Sequence, residues 1–184
     1  MIDLRVQPLP LAGAYRIESE PIHDHRGFNA RLWCARTFAE HGLPDRFVQM
    51  NMISNPKRGT LRGFHYQLPP HAEAKLFRVT RGRIFDAIID LRPGSPTRLQ
   101  WTTLELSADT PELLFVPAGF AQAFQTLEDH TEVIYQVSAF YAPDHARGIR
   151  HNDPAFGVPW PLPVAVLSER DRDWPDFDAG GLHV

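Results

Sequence analysis

Three side chains of this 184-residue chain are of types that could do acid–base chemistry: His65, Lys75 and Tyr135. His65 lies in the run Leu61-Arg62-Gly63-Phe64-His65-Tyr66-Gln67. An imidazole, with an ordinary pKa of about 6.5, is a suitable general base near neutral pH. Lys75, one of two lysines against seventeen arginines, opens the run Lys75-Leu76-Phe77-Arg78-Val79. Its ammonium suits a site where an oxyanion develops. Tyr135 sits in the middle of Glu132-Val133-Ile134-Tyr135-Gln136-Val137-Ser138, and a buried phenol facing His65 across a cavity is a proton donor. Each residue has a plainer reading: a hydrogen-bonded structural histidine, a solvated strand end and a core tyrosine.

These residues must be positioned by strands. Alternation places Arg62 and Phe64 on one side of their strand and Leu61, Gly63 and His65 on the other, and groups Val133, Tyr135 and Val137 on one face. Strands are predicted over 15–18, 30–34, 47–53, 60–65, 75–80, 83–91, 101–106, 112–116, 120–126 and 132–141. They are separated by turn signals such as Pro56-Lys57-Arg58-Gly59, Arg81-Gly82 and Pro117-Ala118-Gly119. Many short strands at close spacing predict an all-β antiparallel sandwich or barrel, whose inward positions can hold a ligand. One helix is expected over 36–42, with capping-box spacing in Thr37-Phe38-Ala39-Glu40 and Gly42 as its C-cap. The tail from Asp153 is rich in proline and tryptophan and is expected to wrap the barrel. With no linker and no internal repeat, residues 1–184 read as one domain.

Composition narrows the function classes. A hydrophobic share of 43% supports a sizeable core, and a net charge of −3 offers no basic field for nucleic acid. Apolar runs such as Ala87-Ile88-Ile89 are too short for a membrane helix. The start Met1-Ile2-Asp3-Leu4-Arg5 lacks a signal-peptide layout, and the single Cys34 excludes an internal disulfide framework, so a cytoplasmic location is expected. No dinucleotide fingerprint, P-loop or nucleophile elbow is present. Metal-binding barrels of the cupin type commonly carry an H-x-H pair, a Glu and a later His. Here His65-Tyr66-Gln67 has no second His, and Pro117-Ala118-Gly119-Phe120-Ala121-Gln122 has Gln at the later position. His71 and Glu73 nearby do not complete a ligand set, so neither a metal nor another cofactor is expected.

A series of motifs then gives the chain a resemblance. In order they are His25-Arg26-Gly27-Phe28, Phe47-Val48-Gln49-Met50-Asn51, the run from Leu61 to Gln67, Ala74-Lys75-Leu76, Asp90-Leu91-Arg92 with Ser95-Pro96-Thr97, and Pro117-Ala118-Gly119-Phe120-Ala121. Tyr135, Tyr141-Ala142-Pro143, Asn152-Asp153-Pro154 and Leu167-Ser168-Glu169-Arg170-Asp171 follow. Through them the chain resembles, over 17–177, the dTDP-4-dehydrorhamnose 3,5-epimerase family, a metal-free cupin-like group. The resemblance implies an antiparallel jelly-roll barrel, usually a homodimer. It also implies a nucleotide-linked 4-keto-6-deoxyhexose as substrate, inverted at C3, C5 or both by proton abstraction beside the ketone. It makes His65 the base, Tyr135 the acid, Asp171 the carboxylate that orients His65, and Lys75 the group that stabilises the enolate oxygen. Arg26, Arg62 and Arg170 match positions that hold the diphosphate, Gln49 and Asn51 match nucleotide contacts, and Phe28, Met50 and Gln122 complete the substrate-binding set.

Four positions depart from the family pattern. Gln122 replaces a histidine, Arg31 a glutamate, Met50 an aspartate and Ala146 a glutamate. An epimerase of a nucleotide-linked keto sugar is the expected activity. A 3,4-ketoisomerase on the same barrel and a non-catalytic sugar-nucleotide binding protein are the alternatives.

Overall fold

The computed structural model describes residues 3–181. Two sheets carry most of the chain. The first orders its strands as β1 (Leu4–Pro8), β2 (Tyr15–Ser19), β10 (Glu112–Val116), β7 (Lys75–Arg81), β12 (Thr131–Val137) and β5 (Gln49–Asn55). The second runs β13 (Ala146–Gly148), β6 (Leu61–Gln67), β11 (Phe120–Thr126), β8 (Arg83–Asp90) and β9 (Trp101–Ser107). Neighbours within both are antiparallel, and the architecture is the expected jelly-roll barrel. A separate hairpin joins β3 (Ile22–Asp24) to β4 (Gly27–Asn29), and the two short helices are α1 (Ala35–Glu40) and α2 (Glu169–Arg172).

Strand alternation builds three apolar layers. Phe77, Val79, Leu114, Val116 and Val133 of the first sheet meet Ile84, Ile88, Leu106, Phe120 and Phe124 of the second between the sheets. The outer face of the second sheet (Phe64, Ala87, Ile89, Ala121) is covered by Phe156, Val158 and Trp160, so the tail does wrap the barrel. The outer face of the first sheet (Ile17, Leu76, Leu113, Phe115) is covered by Phe38 of α1 and by Leu43.

β1 and β13 have no counterpart among the predicted strands, the strand expected over 132–141 ends at Val137, and two further predicted elements differ. The segment 30–34 forms no strand, because Trp33 packs edge-on against Phe38 and Phe47 beneath α1 instead of entering a ladder. The helix starts at Ala35, with Cys34 at its N-cap and no side-chain cap, so Thr37 lies within the helix and no capping box forms. The helix ends at Glu40 with His41 as its C-cap, not Gly42; Gly42 follows the cap, and its φ of +67° turns the chain so that Gly42 N–H reaches Ala39 O and Leu43 N–H reaches Phe38 O.

Candidate active site

A cavity of about 510 Å³ opens between the sheets. The first sheet gives it Gln49 and Asn51 from β5, Lys75 from β7 and Tyr135 from β12; the second gives Arg62 and His65 from β6 and Gln122 from β11. Arg170 reaches it from α2.

Strict alternation had put Arg62 and His65 on opposite faces, yet both line the cavity. The cause is a bulge. His65 pairs with Gln122 and Arg62 with Phe124, so three steps along β6 match two along β11. Gly63 supplies the extra residue, with φ at +108°, and a Cβ there would lie 2.5 Å from Gln122 O. Phe64 turns away into the layer under the tail and exchanges two backbone hydrogen bonds with Ile149.

His65 Nε2 lies 2.6 Å from Asp171 Oδ1. The other carboxylate oxygen accepts from Gly63 N–H at 3.3 Å, so Asp171 holds both the ring and the bulge. Ser168 caps α2 by accepting from Asp171 N–H, which fixes the carboxylate at the helix start. Burial pushes the Asp171 carboxyl up, but the hydrogen bond from His65, the His65 charge and the Gly63 amide outweigh it and hold it below its ordinary value.

Lys75 is not a solvated strand end. Its side chain is 11% exposed, Nζ donates to His65 O at 3.1 Å, and Glu73 Oε1 stands 3.6 Å away. Tyr135 stacks on Phe77 at 5.5 Å between centroids. Burial, and then the Glu73 charge, raise its phenol above the ordinary value, with Arg62 and Asn51 partly opposing. The base candidate and the acid candidate thus face one cavity from different sheets.

Gln122 donates from Nε2 to Asp86 Oδ2 at 2.9 Å. Asp86 is fully buried on the inward face of β8, between Ile84 and Ile88. Burial pushes its carboxyl well above the ordinary value, with Gln122 and Lys75 opposing. Sequence reasoning passed over Asp86, although an Asp among the inward apolar residues of a strand was the available signal. Glu73, weighed only as a metal ligand, also lines the cavity.

Three expected binding residues lie outside this lining. Arg26 is forked onto Asp24 within the exposed hairpin, and Phe28 beside it is 58% exposed. Met50 is also 58% exposed, because alternation along β5 turns Gln49 and Asn51 inward and Met50 outward. Among the described residues no three His, Cys, Asp or Glu side chains converge as a metal site.

The family model for dTDP-4-dehydrorhamnose 3,5-epimerase matches residues 8–179. The chain belongs to that family. A dTDP-4-dehydrorhamnose 3,5-epimerase of Pseudomonas aeruginosa is 41% identical, over 95% of this chain and 96% of its own. The Bacillus anthracis enzyme of the same name, solved with TDP and PPi bound, superposes with a TM-score of 0.91 at 38% identity, covering 95% of this chain and all of that one. A 3'-monoepimerase of Streptomyces bikiniensis, solved with dTDP-quinovose, gives a TM-score of 0.85 at 32% identity over 92% of this chain and 86% of its own. Family membership agrees with the resemblance read from the motifs.

Proposed function

We propose that this protein is an isomerase that epimerises a nucleotide-linked 4-keto-6-deoxyhexose beside its ketone. The observation that carries the reading is the placement of a carboxylate-bound imidazole and a phenol on opposite sheets of one cavity, with an ammonium beside the imidazole strand. Asp171 occupies Nε2 of His65, which leaves Nδ1 to accept the proton from the carbon next to the ketone. The C–H electron pair moves into the carbon–carbon bond, the carbonyl electrons move to oxygen, and Lys75 stabilises the enolate so formed. Tyr135 gives its phenolic proton to the opposite face of the carbon, the enolate collapses to the ketone, and the configuration is inverted. Solvent exchange returns His65 and Tyr135 to their starting protonation states.

Arg62 and Arg170 offer guanidinium forks to the diphosphate, and Gln49 and Asn51 contact the nucleotide. Gln122 contacts the sugar. The chain acts as one domain and as a homodimer. The N-terminal segments 15–18 and 30–34 were the expected additions to a partner's sheet, but β1 and β10 occupy both edges of β2, and 30–34 is no strand. The β3–β4 hairpin is the better contact: all six of its residues are exposed, Ile22 and Phe28 among them, and a lone hairpin is marginal in water. Docked on a second copy, it brings Arg26 and Phe28 to the partner's site. Among the described residues no helix is long and apolar enough to cross a membrane, and the free thiol of Cys34 suits a reducing cytoplasm.

Incubation with dTDP-4-keto-6-deoxyglucose in deuterated water tests the activity. Deuterium at C3 or C5 of an inverted sugar is expected. A carbonyl moved to C3 means ketoisomerase chemistry, and recovery of the sugar without deuterium means binding alone.

A further inference from the structure

Trp174 stands behind the cavity wall, two residues beyond α2 and four after Arg170. The Arg170 guanidinium carbon lies over its ring, 5.4 Å from the centroid. The indole rests on Gly148, where a Cβ would fall 2.1 Å from Nε1 and 2.4 Å from Cε2. Gly148 in turn pairs with His65 across β13 and β6. The ring is therefore wedged between the strand flanking the base candidate and an arginine of the cavity wall. Its buried Nε1 has no hydrogen-bond partner, so the indole is held by its faces and not by a polar contact. Arg170 itself is exposed, and its contact with Tyr141 Oη is long at 3.4 Å. A free arginine side chain samples many rotamers, and a ring under its guanidinium restricts them while leaving the N–H fork open to an anion.

We propose that Trp174 is a positioning residue, which by stacking beneath Arg170 holds the guanidinium where the diphosphate of the nucleotide sugar docks. The inference rests on the diphosphate role given to Arg170 above. Trp174 is not part of the cavity lining, and its effect falls on binding rather than on proton transfer.

The test measures dTDP binding by calorimetry, with KM and kcat on the keto sugar, for the parent, Arg170→Ala, Trp174→Leu and Trp174→Phe. Trp174→Leu is expected to raise the dTDP Kd and the KM together by about three- to tenfold, with kcat within about twofold of the parent. Trp174→Phe keeps an aromatic face and is expected to recover most of the loss, whereas a packing role does not separate Phe from Leu. Should Trp174→Leu fail to fold, Trp174→Met gives the same aromatic-free comparison. Normal dTDP binding by Arg170→Ala overturns the reading of Arg170 and the inference with it. Weakened binding by Arg170→Ala with unchanged binding by Trp174→Leu, equal losses for Leu and Phe, or a loss confined to kcat overturns the inference alone.

Discussion

His65 and Asp171 lie 2.6 Å apart although 106 residues separate them in the chain. The same carboxylate also takes the Gly63 amide, so it fixes the ring and the bend of the strand that carries it. Removal of the base should abolish proton exchange outright: His65→Ala is expected to incorporate no deuterium at C3 or C5. Asp171→Asn keeps the shape but loses the charge that fixes the Nε2–H tautomer. A fall in kcat of about 10²–10⁴-fold is expected, measured by the rate of deuterium uptake. Parent-like uptake by either variant removes the dyad from the mechanism.

Asp171 also predicts an acid dependence of stability. Its carboxyl lies below the ordinary value in the fold, so its stabilisation is present above the unfolded value and is lost as pH falls through the folded one. Urea midpoints measured as pH is lowered through the carboxylate range should fall less for Asp171→Asn than for the parent. Parallel curves refute this assignment.

Gly63→Ala tests the bulge. The added Cβ meets Gln122 O at 2.5 Å and Ala123 Cα at 2.7 Å, all backbone that has no room to retreat, and φ is +108°. A loss of about 3 kcal/mol or more is expected in denaturant unfolding. A variant of parent stability shows that β6 adopts its register without the glycine.

The hairpin predicts the assembly. Sedimentation should give a dimer at micromolar concentration, and Ile22→Asp with Phe28→Asp, both replacing exposed apolar side chains, should shift it toward monomer. A parent that sediments as a monomer overturns the homodimer.

The strands were legible because period-two alternation is local. β10 and β11 match their predicted bounds, with the Pro117-Ala118-Gly119 turn between them marked by its own residues. The shared face of Arg62 and His65 was not legible, since it depends on register against β11 some 60 residues away. The β3–β4 hairpin escaped because its residues are exposed and carry no buried-face pattern. The motif resemblance named His65, Tyr135, Lys75 and Asp171, and all four meet in one region of the fold. Asp86 carried a local signal, a carboxylate among inward apolar residues, but its bond to Gln122 was not legible, because Gln122 lies on another strand and no spacing along the chain connects them.

Tyr135→Phe separates acid from packing. The ring still stacks on Phe77, but the phenolic proton is gone. Exchange with retained configuration should persist while net inversion falls by about 10²–10⁴-fold. Inversion at the parent rate would make Tyr135 a core ring only. Because burial and the Glu73 charge raise the phenol, the acid stays protonated throughout the neutral range, so no activity loss from Tyr135 ionisation is expected there.

Asp86 makes the last prediction, and its sign is opposite to that of Asp171. Its carboxyl lies well above its ordinary value in the fold, chiefly through burial. As pH rises past that ordinary value the unfolded chain releases the proton while the folded one keeps it, so stability falls until the raised value is reached. Asp86→Asn has no proton to lose and keeps a carbonyl to accept the Gln122 amide. Its Tm should therefore exceed the parent's at pH 7.5, by about 2–4 °C for each kcal/mol relieved, and the gap should close as pH is lowered toward 3.8. Asp86→Leu instead leaves the Gln122 Nε2–H without an acceptor in a buried setting and should lower Tm at both ends of the range. A Tm gap for Asp86→Asn that does not change with pH would show that the carboxyl titrates alike in the folded and unfolded chain, burial being offset by Gln122 and Lys75.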